Sequence, residues 1–250
     1  LSRYPWRMDD EKVAYKGYEL AVKHGIKNIC VHKGLFAPGI EKQFPHLRGF
    51  CDVSDVGQAA KDWPQLNFVI YHSAYRHVGG DPKVALAEFE RTGRISWTSD
   101  LADIPAQYGV SNVYGDVGQL FATTLVAEPN VCAALMGILV KGLGADHVCW
   151  GTDALWTGSP QWQIEGLRRL EIPEAMQKKH GFSPLGAADG SVKNAIFGTN
   201  NAKLYGITPR RAMLELKNDG ISKLKEAYEK SGPERSDRKS TRLNSSHGYI

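Results

Sequence analysis

Four short apolar runs, at residues 28–32, 67–72, 112–117 and 147–150, each lead into a segment with helical spacing, and this alternation constrains the chain more than any other feature. Asn28-Ile-Cys-Val-His32 and Asn67-Phe-Val-Ile-Tyr-His72 are apolar at nearly every position, the pattern of strands covered on both faces. Strands alternating with helices specify a parallel sheet joined by right-handed crossovers, which closes as an open doubly wound sheet or a (β/α)8 barrel. Four strands are half a barrel. No strand is followed by Gly-x-Gly-x-x-Gly and no P-loop motif occurs, which disfavours a dinucleotide or phosphate-binding version of the fold.

The helical segments can be placed from spacing and stop signals. Val13, Gly17, Tyr18, Ala21 and Val22 define a helix over 12–24 that ends at Gly25. After a loop rich in Pro, Gly and aromatics, Val56, Ala59, Ala60 and Trp63 predict a helix over 52–63, with Asp52 or Ser54 as its cap and Pro64 as its stop. Asp81-Pro82 opens a helix that closes near Gly93, residues 100–108 predict a weaker helix broken by Pro105, and Pro129 opens one that Gly142 and Gly144 close. Further helices are expected at 160–170, 173–180, 189–197, 200–205 and about 209–230.

Three of the strands end in groups that carry chemistry. His32 and His72 terminate theirs, and Asp153 follows the fourth by way of Gly151. If the strands are parallel, these side chains converge at the carboxyl end of the sheet, where α/β enzymes bind ligands. Imidazole nitrogens and a carboxylate are the donors a divalent ion such as zinc accepts. The alternative for Asp153 is a loop cap that bonds its own backbone. Asp116 ends the third strand and is either a supporting acid or a turn cap. Lys33, Arg76 and His77 follow the ligand-bearing strands and could bind a substrate carboxylate, and Trp156 could wall an aromatic pocket or pack beneath its loop.

Composition excludes several classes of function. With 42% hydrophobic and 23% charged residues, the chain is an ordinary globular one. Its net charge of +4 includes the basic end of the chain, so no nucleic-acid surface is indicated. No apolar run reaches the roughly 18 residues that span a bilayer, and the first residues do not form a signal peptide. Four cysteines without a Cys-x-x-Cys spacing fit a reducing, cytoplasmic setting. Residues 231–250 are polar and aperiodic, an expected disordered tail whose Asp237–His247 segment resembles read-through sequence, so the expected domain is 1–230.

The His32-Lys-Gly turn, the Phe68–His72 strand, the Trp150-Gly-Thr-Asp153 strand and the late Ile196-Phe-Gly-Thr-Asn-Asn-Ala-Lys-Leu-Tyr-Gly-Ile207 motif together resemble the carboxyl-terminal part of the amidohydrolase-related family of metal-dependent barrels, over about residues 12–208. The resemblance implies a partial TIM barrel holding strands five to eight. His32 would be a metal ligand, His72 a histidine that contacts the metal or acts on substrate, and Asp153 an acid that touches the metal and moves protons. It also implies a zinc-dependent hydrolase acting on a C–N or C–O bond of a small organic substrate, with decarboxylation or an inactive ligand-binding scaffold as alternatives. Asn200 would cap a short helix, with Leu204 and Tyr205 packing it onto the domain. The His-x-His pair that such barrels carry on their first strand occurs nowhere in these 250 residues, so weak metal binding, little turnover and self-association through open sheet edges are expected of the chain alone.

Overall fold

In the computed structural model, which describes residues 5–77, 80–208 and 219–232, four parallel strands form one sheet. They are β1 (Asn28–His32), β2 (Asn67–Tyr71), β3 (Val113–Asp116) and β4 (Val148–Cys149), in the order β1-β2-β3-β4. Each strand therefore lies beside its predecessor in sequence. A doubly wound sheet reverses this order at its switch point, whereas the wall of a (β/α)8 barrel keeps it. The architecture is α/β with the topology of four consecutive barrel units.

Register fixes which side chains share a face. Ile29 pairs with Phe68, Val31 with Ile70, and Ile70 continues through Gly115 to Val148. Phe68, Ile70, Val113 and Val148 are fully buried beneath the helices. The opposite face carries Cys30 paired with Val69, His32 paired with Tyr71, and Asp116 paired with Cys149. Cys30 and His32 are exposed on that face. Since side chains alternate along a strand, one face builds the core and the other presents polar and ionisable groups.

The helical layer comprises α1 (Ala14–Lys23), α2 (Pro38–Gln43), α3 (Arg48–Cys51), α4 (Val56–Asp62), α5 (Pro82–Thr92), α6 (Thr98–Tyr108), α7 (Gly118–Ala127), α8 (Pro129–Gly142), α9 (Pro160–Arg169), α10 (Glu174–His180), α11 (Ser191–Asn194) and α12 (Asn200–Leu204). Helix α8 is the core helix, buried without interruption from Val131 to Leu139. Asp81 caps α5 by accepting from the Lys83 N–H at 2.9 Å, and Gly93 ends it in the left-handed region, as the sequence predicts.

Several expectations are revised. Pro105 does not break α6, which runs on to Gly109; Leu101, Ala102 and Ile104 anchor it in the core, and this packing outweighs the missing N–H. Neither Asp52 nor Ser54 caps α4, which starts at Val56; Asp52 instead closes a local turn by accepting from the Ser54 N–H at 3.0 Å. The 33–51 loop contains α2 and α3, and α7 was not expected at all. The fourth strand is shorter than its apolar run. Segment 189–197 divides into α11 and a π turn, Ala195–Thr199, that leads into α12.

Asn200 braces the sheet instead of capping α12. Its amide donates to the carbonyls of Ala145 (2.8 Å) and Val148 (2.7 Å), while Asn201 donates to Trp150 O at 3.0 Å, so the late motif holds β4 in place. At the other edge, the Asn28 amide donates to Leu204 O at 2.7 Å.

Residues 1–205 form one compact unit and 206–250 a second. Within the second, α13 (Gly220–Ser231) is helical, its Asp219 cap accepting from Ser222 N–H at 2.6 Å. The rest of the helix expected from 209, through residue 218, and most of the expected tail, from 233, lie outside the described residues. All four cysteines are free thiols, and no helix among the described residues is long and apolar enough to cross a membrane.

Candidate active site

The carboxyl ends of β1, β2 and β3 and the loop after β4 bring four groups to one rim of the sheet. His32 closes β1 on the exposed face. Its ring meets Tyr71 edge-on with centroids 5.0 Å apart, and lies 5.1 Å from the ring of His72. Tyr71, not singled out from sequence, separates His32 from Asp116 along the same row of side chains.

His72 is held by unusual backbone. His72, Ser73 and Ala74 all have positive φ (57°, 45° and 57°), a left-handed turn that costs roughly 1–2 kcal/mol per non-glycine residue. Contacts across the rim oppose that cost: Tyr75 N–H donates to His72 O at 2.9 Å, and Ser73 Oγ donates to Asp116 O at 2.8 Å. The His72 ring is 4% exposed as a residue, and its Nδ1 accepts from the Gln119 N–H, in the first turn of α7, at 3.0 Å. A backbone N–H can only donate, so Nδ1 carries the lone pair and the neutral ring carries its proton on Nε2. Burial lowers the His72 pKa; the Asp153 charge opposes this, and His32 adds to it.

Asp116 is the group whose importance the sequence understated. Burial raises its pKa to about 7; a backbone hydrogen bond from His72 opposes the shift, the charge of Asp153 adds to it, and a backbone hydrogen bond from Gly118 opposes it. Two glycines make room for this carboxylate. A Cβ on Gly151 would overlap Asp116 Oδ2, and one on Gly118 would stand 2.8 Å from Asp116 Oδ1. The Gly of Trp150-Gly-Thr-Asp153 is thus required by an acid on the neighbouring strand.

Asp153 itself has φ of 53°. Its carboxylate accepts no hydrogen bond among the described residues; the loop is capped by Thr152, whose Oγ accepts from Ala154 N–H at 3.2 Å. Gln163, fully buried on α9, secures the loop by donating to Thr152 O (3.1 Å) and Thr157 Oγ (2.9 Å). Asp153 is left free to act electrostatically on His72 and Asp116.

The expected substrate-binding cations are placed differently. Lys33 is only 2% exposed: its Nζ pairs with Asp55 at 2.7 Å and donates to Phe50 O at 2.9 Å, so its charge serves the fold and not a substrate. Arg76 pairs with Glu41 and lies 5.2 Å over the Trp97 ring. His77 is buried near Glu88, its pKa lowered chiefly by burial. Trp156 is 85% exposed and packs under nothing.

The donor set does not by itself fit a metal ion. Among the described residues no group of three or more His, Cys, Asp or Glu side chains is placed to hold one. With Nδ1 occupied and Nε2 protonated, His72 is a hydrogen-bond donor, which leaves His32 and Asp153. A catalytic zinc site takes three protein ligands and an open position.

No curated protein matches this sequence. Among solved structures, an amidohydrolase from Burkholderia multivorans with bound zinc aligns with a TM-score of 0.49 and 13% identity over 80% of this chain and 59% of that one. For a 5-carboxyvanillate decarboxylase from Sphingomonas paucimobilis the values are 0.43, 16%, 81% and 56%, and for a 2,6-dihydroxybenzoate decarboxylase from Rhizobium 0.43, 14%, 82% and 58%. The chain spans less than two thirds of the length of each. A family model described as amidohydrolase matches residues 2–207, most of the sequence. The chain belongs to the amidohydrolase family.

Proposed function

We propose that this chain contributes the His32, His72 and Asp153 side of the active site of a metal-dependent hydrolase that cleaves a C–N or C–O bond of a small organic substrate. The observation that carries this reading is the convergence of these three groups, from three different strand ends, on one rim of a parallel sheet in a chain of this family. A divalent ion, zinc by the preference of imidazole and carboxylate donors, would require ligands beyond His32 and Asp153.

The chain's own side chains have definite work in such a reaction. His72 presents Nε2–H, which no described residue accepts, as a donor to the oxygen on which negative charge develops. Asp153, with no competing hydrogen bond, takes a proton from the attacking water and returns it to the leaving nitrogen or oxygen. The water oxygen bonds to the substrate carbon as the C–N or C–O bond breaks, so the proton and electron pair are accounted for.

A panel of small amides, lactones and aromatic or unsaturated acids, offered to the full-length gene product in H2(18)O, tests the proposal. Hydrolysis places one solvent oxygen in the acid product, and Asp153→Asn abolishes it. Release of carbon dioxide without solvent oxygen in the product would replace hydrolysis with decarboxylation.

A further inference from the structure

The first turn of α7 and the end of β2 meet at a single carboxylate. Asp116 closes β3 directly between them, its main-chain carbonyl taking the Ser73 hydroxyl at 2.8 Å and its carboxylate packing against the backbone of Gly118 and Gly151. One residue beyond Gly118, the Gln119 N–H reaches His72 Nδ1 at 3.0 Å. A Cβ at Gly118 would come as close as 2.5 Å to His72 Nδ1 and 2.8 Å to Asp116 Oδ1, so the three groups form one packed junction. The fourth side of the junction is Gly151, whose missing side chain is the space the carboxylate fills.

We propose that Asp116 is the positioning residue for His72: by tying the left-handed end of β2 to the start of α7, it holds the imidazole with Nδ1 on the Gln119 N–H and Nε2–H directed at the reacting group. The proposal rests on the reading of His72 as the donor to substrate. The physical basis is pre-organisation. A histidine acts as a donor only while its other nitrogen is kept unprotonated by a fixed partner, and residues that fix that partner orient the ring without touching substrate. Three successive non-glycine residues at positive φ persist only where surrounding contacts over-determine them, and Asp116 supplies one from its main chain to Ser73 while its carboxylate packs at Gly118, beside the His72 ring.

The direct readout is the tautomer of His72. Magic-angle-spinning spectra of 15N-histidine-labelled full chain serve, because they tolerate self-associated material, and loss of signals in His72→Gln assigns the two nitrogens. In the wild type, Nε2 is expected as the protonated, pyrrole-type nitrogen and Nδ1 as the unprotonated one. Asp116→Asn keeps the size but loses an acceptor, and should convert this pair to averaged or exchanged signals while the other seven histidines are unchanged. Gly151→Ala, which displaces the carboxylate without altering Asp116 or His72, should do the same.

A wild-type His72 protonated at Nδ1 overturns the inference without recourse to any variant. So does an unaltered His72 pair in folded Asp116→Asn or Gly151→Ala. The predicted tautomer together with absent hydrolysis would remove the hydrolase reading and leave Asp116 in its role; hydrolysis with the wrong tautomer would do the reverse.

Discussion

At the scale of single residues, the site is a set of ionisable groups whose environments differ over a few ångströms. Burial raises the Asp116 pKa to about 7 from 3.8, above its value in the unfolded chain. The unfolded chain therefore releases the Asp116 proton first as pH rises, and folding loses stability between about pH 4 and pH 7, by on the order of 2–4 kcal/mol. His72, His77 and His180 have lowered pKa values and act in the opposite sense, losing stability as pH falls. Urea titrations at pH 5 and pH 8 separate these contributions. Relative to wild type, Asp116→Asn should be more stable at pH 8 than at pH 5; an identical pH dependence in the two proteins would show that Asp116 is not buried as described.

His32, His72 and Asp153 were legible in the sequence because each is a polar group that interrupts an apolar run, and strand ends in a parallel sheet share one rim. Asp116 was visible as a strand end, but its role depends on Gly118 and Gly151, which only the fold brings to it. Lys33 was misread for a similar reason. Its partner Asp55 lies 22 residues away, and nothing local distinguishes a buried lysine from a solvated loop cation.

At the scale of elements, the Lys33–Asp55 pair explains how the end of β1 is fastened. Asp55 Oδ2 takes both the Lys33 ammonium at 2.7 Å and the Met8 N–H at 2.8 Å, while Lys33 also holds Phe50 O at the end of α3. Met8, the end of β1, the end of α3 and the residue before α4 thus meet on one buried ion pair. Replacing one member strands the other charge, so Lys33→Met should lower stability by roughly 3–5 kcal/mol, and Lys33→Met with Asp55→Leu should recover much of it. A change below about 0.5 kcal/mol in the single variant, the level of a surface substitution, would show that the pair is solvated. Helix legibility follows the same logic. Helices α1 and α5 announced themselves by amphipathic spacing and caps, whereas α7 buries Leu120, Phe121, Ala122 and Thr124 with too little polar contrast to show a period. Pro105 argued for a break by local propensity, and core packing overrode it.

At the scale of the whole molecule, the parallel sheet was legible from the alternation, which left a doubly wound sheet and a barrel open; the structure gives the sequential order β1-β2-β3-β4, with β1 and β4 at the ends of the sheet. The face bearing Cys30, His32 and Tyr71 is the one a barrel would turn inward, while the late motif covers the outer side of β4: Trp150 N–H donates to Ile196 O at 3.0 Å and Asn200 takes the Val148 carbonyl. In the proposed reading His32 and Asp153 supply two of a metal ion's donors, and the remaining donors come from outside this sheet. In the proposed function His32 and Asp153 serve one metal centre. Metal analysis of the purified full-length gene product beside its His32→Ala and Asp153→Asn variants tests it most directly. A bound divalent ion in the parent, lost from both variants, is the predicted result; undiminished metal in both would contradict it.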